Sequence, residues 1–226
     1  MQKLWRYLRY ERLLEIINTG LLFFPHISQF SDKWEGLLTE RTRELFFRAE
    51  YAKYNDSIIA NASLSNYESF KDSFYILCWH MSDHESYLMW KVYAERGCAI
   101  QTNYERLVAS FPDGPPEVNG CIVTYLDYER DSFPIGNVYS SVSYKDLPYL
   151  DEKEFRLLFW KTALPNQSYQ VGIRGVEIAV DLDMLIDNIY IDPSKDIDIG
   201  KLTNALQTKG IRREIRYSRI KKNEIV

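Results

Sequence analysis

The sequence predicts an α+β fold: a single domain over 1–226, with a mixed, mostly antiparallel sheet and peripheral helices. Three observations predict it. Short apolar runs of strand length are mixed irregularly with amphipathic helical stretches, without the strict alternation of a doubly wound sheet. With 46% hydrophobic and 27% charged residues among 226, the chain can bury a sizeable core without metal or disulfide staples. The one proline-rich break, Pro112-Asp113-Gly114-Pro115-Pro116, reads as an internal loop.

The elements follow in order. Leu4 to Tyr7 opens as a short strand. Glu11 to Thr19 reads as a helix, with Leu13, Leu14, Ile16 and Ile17 on one face and Gly20 as its stop. Leu21 to Phe24 is a compact strand closed by Pro25. Phe30 to Gly36 is a turn-rich segment carrying Phe30 and Trp34, and aromatics in a loop either plug the core or line a cleft. Thr39 to Tyr54 has helical spacing at Leu45, Phe46 and Ala49, whereas Asp56 to Asn66 is polar and reads as a loop. A buried strand is predicted over Phe74 to Trp79, a helix over Ser86 to Glu95, a strand over Cys98 to Thr102 and a helix over Tyr104 to Phe111. Beyond the proline loop, Cys121, Val123 and Tyr125 alternate as one half-buried strand, and Asp127 to Leu147 is irregular. Glu154 to Trp160, Gly172 to Val180 and Ile189 to Ile191 read as strands. A helix over Ile199 to Lys209, stopped by Gly210, precedes a last strand at Ile215 to Tyr217.

Bulk charge restricts the partners. Basic residues number 28 and acidic residues 32, a near-balance that argues against a dedicated nucleic-acid wrapper, so nucleic acid is not expected as the primary partner. The one basic concentration is Lys209, Arg212, Arg213, Arg216, Arg219, Lys221 and Lys222. It reads as a solvated face or as a contact for nucleic acid or an acidic partner. Cys78, Cys98 and Cys121 are an odd number with no redox or ligand spacing, which implies buried reduced thiols and a cytoplasmic protein. Neither a signal peptide nor a membrane span is expected.

Glycine-rich phosphate loops and the Gly-x-Ser-x-Gly elbow are absent from the sequence. Four constellations remain. Glu152-Lys153-Glu154-Phe155-Arg156 enters a strand, so Glu152 and Glu154 are expected side by side on one face, where one of two repelling carboxyls keeps its proton. Such a pair suits a cationic sugar-like transition state, or it is a solvated strand edge partnered by Arg156. His80 and His84 have the spacing of metal ligands on a helix, but no second ligand pair accompanies them, and no metal is expected. Arg6, between Trp5 and Tyr7, either snorkels to water or anchors an anion. Met89 to Tyr93 has the spacing of a packed helix face.

Leu4-Trp5-Arg6-Tyr7, Phe30-Ser31-Asp32-Lys33-Trp34-Glu35, Met89-Trp90-Lys91-Val92-Tyr93 with Gly97, Val123-x-Tyr125 and Glu152-x-Glu154-Phe155-Arg156 together resemble a bacterial family, domain of unknown function 2971. That resemblance spans most of the chain and implies no established activity. A further resemblance is to the ADP-ribosyltransferase fold, whose arginine–serine–glutamate class carries an arginine on its first strand and a Glu-x-Glu near its end. It implies NAD as substrate and catalytic roles for Glu154, Glu152 and Arg6. Arg6, Tyr7, His80, Ser82 and Trp90 would then bind the cofactor, with His80 and Ser82 standing where the class has Ser-Thr-Ser. Glu154 would stabilise the oxocarbenium ion, Glu152 would position the acceptor, Arg6 would hold the pyrophosphate, and Tyr7 or Trp90 would stack on the cofactor. The rival readings are a non-catalytic interaction module of a defence or toxin–antitoxin assembly and a metal-dependent hydrolase or nuclease using His80 and His84.

Overall fold

A computed structural model describes residues 2–94, 96–114, 117–161, 172–193 and 197–222. It has the predicted class: α+β, with a mostly antiparallel sheet and helices. The strands are β1 (Lys3–Arg9), β2 (Leu21–Pro25), β3 (Phe74–Met81), β4 (Gly97–Asn103), β5 (Val118–Ile122), β6 (Thr124–Leu126), β7 (Tyr144–Asp146), β8 (Glu154–Trp160), β9 (Gly175–Ala179), β10 (Asn188–Ile191) and β11 (Ile215–Tyr217). The helices are α1 (Tyr10–Thr19), α2 (Glu40–Tyr54), α3 (Ser57–Ser69), α4 (Tyr87–Tyr93), α5 (Tyr104–Ala109), α6 (Leu182–Leu185), α7 (Ile199–Thr208) and α8 (Arg219–Lys222). Among the described residues no helix is long and apolar enough to cross a membrane.

The chain divides into two compact units. The first comprises Met1–Phe23, Cys78–Pro116 and Glu177–Val226, and the second Phe24–Leu77 and Glu117–Val176. Strand β3 passes from the second to the first between Leu77 and Cys78.

In the first unit the strand order is β11-β10-β4-β1-β3. Strand β1 pairs antiparallel with β4 along its whole length, from Lys3↔Asn103 to Arg9↔Gly97. Helix α1 follows at once because Leu13, Leu14, Ile16 and Ile17 recur on one buried stripe. It ends at Gly20, whose left-handed φ of 72° lets its N–H reach the Ile16 carbonyl. The N-terminus of α4 is capped by Ser86, that of α5 by Asn103 and that of α7 by Asp198.

In the second unit β8 and β5 form an antiparallel pair, Val118↔Phe159 to Ile122↔Phe155. A separate parallel ladder joins β6 to β7, with Tyr125 opposite Lys145. Helices α2 and α3 form a hairpin. Asn55 ends α2 in the left-handed region, and the Asp56 carboxylate accepts from the Ile58 and Ile59 N–H groups to start α3.

Two expectations are corrected here. Residues 57–69 are helix, not loop: below the Asp56 cap, Ala60, Leu64 and Tyr67 are buried at helical spacing. Cys121, Val123 and Tyr125 do not share one strand. At Val123 the chain leaves β8, its N–H still bonded to the Glu154 carbonyl, and the next N–H, of Thr124, turns to the Ser143 carbonyl.

Candidate functional site: a buried charge cluster

The second unit holds five ionisable side chains in contact, drawn from four stretches of chain. Strand β8 supplies Glu154 and Arg156, which two-residue periodicity places on one face. Arg156 is completely buried, and all five of its N–H donors are used. Its Nη1 and Nη2 meet the two oxygens of Glu35 at 2.6 and 3.1 Å. Nε and Nη2 meet Glu154 at 2.8 and 3.3 Å, and the second Nη1 proton goes to the Val142 carbonyl at 2.8 Å. Two forked carboxylates around one planar guanidinium make strong, directional contacts.

Glu35 is brought in by the aromatic turn. Asp32 Oδ1 accepts from the Trp34 N–H at 2.9 Å, and the Leu37 N–H closes back on the Trp34 carbonyl at 3.0 Å. Gly36 sits at φ 73°, where a Cβ would lie 2.6 Å from the Ile27 side chain. The left-handed φ favours glycine at this turn, and the Trp34 ring stays exposed.

Lys145 comes from β7, inside the stretch that reads as irregular. Its Nζ donates to Glu152 Oε2 and Glu154 Oε1, each at 2.6 Å, and stands 3.7 Å from Glu35 and 4.5 Å above the Tyr149 ring. The Tyr125 hydroxyl, beside it on β6, accepts the Glu154 N–H at 2.9 Å.

The expected strand-face pair is corrected in its geometry. Glu152 is the last residue of a short 3-10 turn, Leu147–Glu152, and Lys153 is left-handed at φ 41°. The two carboxyls meet by converging on Lys145, not by the pleat of a strand.

Three carboxylates face two cations, so one negative charge is in excess. The two glutamates of Glu-x-Glu divide it unequally. For Glu154, burial works upward, but the Arg156 charge and hydrogen bond, with Glu152 and Lys145, hold the carboxyl well below the usual range. For Glu152, burial and the hydrogen bond to Glu154 raise the pKa against the pull of Lys145. Burial would lower Lys145, but the charges of Glu154 and Glu35 keep it above the ordinary lysine value. Glu152 is the most accessible member, with its side chain 17% exposed against 7% or less for the others. It is the group through which the cluster can exchange a proton with a ligand.

The first unit gathers a different set. Arg6 and Tyr7 are neighbours on β1 and so face opposite sides of the sheet. Arg6 shares its face with Ile100, its partner across the ladder, and its Nη1 donates to the Cys78 carbonyl at 2.6 Å. Tyr7, Trp90 and His80 lie together on the other face, with Tyr7 edge-on to Trp90 at 5.4 Å and to His80 at 6.1 Å. The assignment of Tyr7 or Trp90 to cofactor stacking is corrected. Tyr7 is 6% and Trp90 0% exposed, and both rings belong to the core with Trp5, Met89 and Ala94. His80 is also buried, within β3, so it does not share a helix face with the exposed His84. Ser82 is half-buried, its Oγ accepting the His84 N–H at 3.2 Å and its carbonyl the Trp5 Nε1 at 2.7 Å. Glu152 and Glu154 are not in this group; they belong to the second unit.

Sequence reasoning singled out Glu152, Glu154 and Arg156 but missed Glu35 and Lys145. Among the described residues no group of three or more His, Cys, Asp or Glu side chains is placed to hold a metal ion. No protein-family model, no curated protein and no solved structure matches the chain.

Proposed function

We propose that the chain is an ADP-ribosyltransferase-like enzyme that breaks the bond between nicotinamide and ribose in NAD, with the charge cluster of the second unit as its reacting centre. The observation that supports this is the partly exposed Glu152 carboxyl, hydrogen-bonded to Lys145 at the open end of a cluster with one negative charge in excess. The resemblance of the Glu-x-Glu to that of the transferases points the same way.

The bond from ribose C1′ to the pyridinium nitrogen breaks with its electron pair leaving on nicotinamide, which departs neutral. Positive charge is left on the ribose, and the excess negative charge of the cluster lowers the energy of that state. Water or another acceptor then attacks C1′ and gives its proton to Glu152, whose raised pKa makes it a stronger base than an ordinary glutamate. Glu154, closed off by Arg156 and Lys145, is a positioning residue that keeps Glu152 in place and the site negative. Arg6 has no part in this assignment, because its guanidinium is tied to the Cys78 carbonyl.

The test is nicotinamide release from NAD by the purified protein. Glu152→Gln should slow release by roughly a hundredfold to ten-thousandfold and leave the circular dichroism spectrum unchanged. A rate equal to that of the unaltered protein sinks the assignment.

A second reading, a non-catalytic interaction module, is favoured by the apolar residues that α2 and α3 leave exposed: Leu45, Tyr51, Tyr54, Ile58 and Ile59. It predicts that NAD neither turns over nor raises the melting temperature.

A further inference from the structure

The basic stretch near the C-terminus plays no part in the proposed reaction. Residues 209–222 carry seven lysines and arginines against one acid, Glu214, in a chain whose formal net charge is −4. The rest of the sequence therefore carries ten negative charges in excess. A concentration this contrary to the remainder calls for a physical account.

The fold places part of this stretch against a half-buried aromatic. In the β10–β11 ladder Arg216 is directly opposite Tyr190, on the face where Tyr190 packs on Trp5 at 4.9 Å. The Tyr190 hydroxyl accepts from Arg216 Nη1 at 3.3 Å. Helix α8 lies on that same face: Ile220 packs against the cluster that contains Trp5, Tyr7, Met89 and Trp90, and the Arg219 N–H is held by Glu85 Oε1 at 3.1 Å. The other oxygen of Glu85 accepts from Trp90 Nε1 at 3.0 Å. One carboxylate thus fastens α8 to the start of α4. There Tyr87 is 54% exposed, with the Lys91 ammonium 5.4 Å from its ring. This face carries Arg216, Arg219 and Lys91, together with the exposed Tyr87 ring and the half-buried Tyr190. Glu85 is engaged as described, and Glu214 pairs with Arg216 at 2.6 Å.

We propose that this face of the first unit binds single-stranded nucleic acid, with the arginines and Lys91 meeting phosphates and the Tyr87 ring stacking on a base. Cations along a backbone track and an accessible aromatic face are the two elements that such binding combines. An acidic protein segment would use the same cations but would gain nothing from a base-sized ring, which makes the ring the discriminating feature. The proposal stands independently of the NAD reading, because it uses none of the residues of the charge cluster.

The experiment is fluorescence anisotropy with labelled oligothymidylate and oligouridylate of about fifteen nucleotides, a length suited to such sites. With about three phosphate contacts on a single strand, affinity should fall roughly twentyfold between 50 and 200 mM salt. Arg219→Glu should weaken binding roughly tenfold and flatten the salt dependence. Tyr87→Ala should weaken it by a similar factor, and Tyr87→Trp should restore it. Lys53→Glu, on α2 in the second unit, should change nothing. Thermal melting of each variant separates lost binding from lost structure. The proposal is overturned if neither oligonucleotide binds, or if Arg219→Glu binds normally. It is equally overturned if Tyr87→Ala costs nothing, or if polyglutamate competes as well as the oligonucleotide, since either result marks a surface for acidic partners in general.

Discussion

The two units each bury a polar cluster, and the two are closed in different ways. In the first unit Trp5, Tyr7 and Trp90 each have one polar atom, and each atom has one partner. Trp5 Nε1 donates to the Ser82 carbonyl, the Tyr7 hydroxyl accepts the Ser86 N–H, and Trp90 Nε1 donates to Glu85. Each of these three tips has a partner, so the rings are packed with their polar atoms bonded. In the second unit five charges meet with unequal numbers of each sign. Full hydrogen bonding there still leaves one negative charge uncompensated, with Glu152 the carboxyl whose pKa is raised and Glu154 the one held low. Equal burial therefore does not mean equal chemical capacity; the unbalanced cluster keeps a reactive degree of freedom that the balanced one lacks.

The contrast can be broken most decisively at Glu154. Glu154→Gln removes one partner from two buried cations and should cost about 3–5 kcal/mol in denaturant unfolding. A loss under about 1 kcal/mol would mean that the cluster is wetter and weaker than its geometry implies. Tyr7→Phe, the counterpart in the first unit, leaves only the Ser86 N–H without its acceptor and should cost about 1–3 kcal/mol. If it equals the Glu154 variant, the distinction between neutral and charged closure fails.

The smallest effect is in pH dependence. Glu154 has a folded pKa below the ordinary 4.5, so its stabilisation is complete above that value and is lost as pH falls toward the folded pKa. Glu152 has a folded pKa above 4.5, so its contribution is complete below 4.5 and is lost as pH rises through the folded value. Glu152→Gln should remove that second decline, which has a limiting slope of about 1.4 kcal/mol per pH unit. Tyr7→Phe should leave the stability profile between pH 4 and 8 unchanged in shape. Unfolding curves across that range, compared for the two variants, decide the point.

Much of the fold was legible because its signals are local. Phe155 to Trp160 is apolar but for Arg156 and of strand length, and β8 is where that run predicts it. Helix α3 escaped because only Leu64 among its buried positions is a large aliphatic residue, although the Asp56 cap was there to be read. The acidic pair and Arg156 were visible as one short motif. Glu35 and Lys145 were not, since both sit in turn-rich or irregular stretches where no periodicity says which side chain turns inward. Glu35 meets Arg156 across 121 positions of sequence. The separation of Arg6 from Tyr7 was implicit in the strand pattern, because adjacent residues of a strand cannot line the same pocket. The assignment of both to one cofactor site overlooked that alternation.

Lys153 has a consequence for how the chain can vary. A side chain at φ 41° is crowded by its own backbone, at a cost of about 1–2 kcal/mol. Glycine there would relieve the crowding, and valine or isoleucine would worsen it. The hinge-like twist at this single residue swings Glu152 away from the pleat that seats Glu154. The nearness of the two acids thus depends on this backbone twist and not on a strand pleat, and inserting or deleting one residue here would disperse the pair without touching either carboxyl.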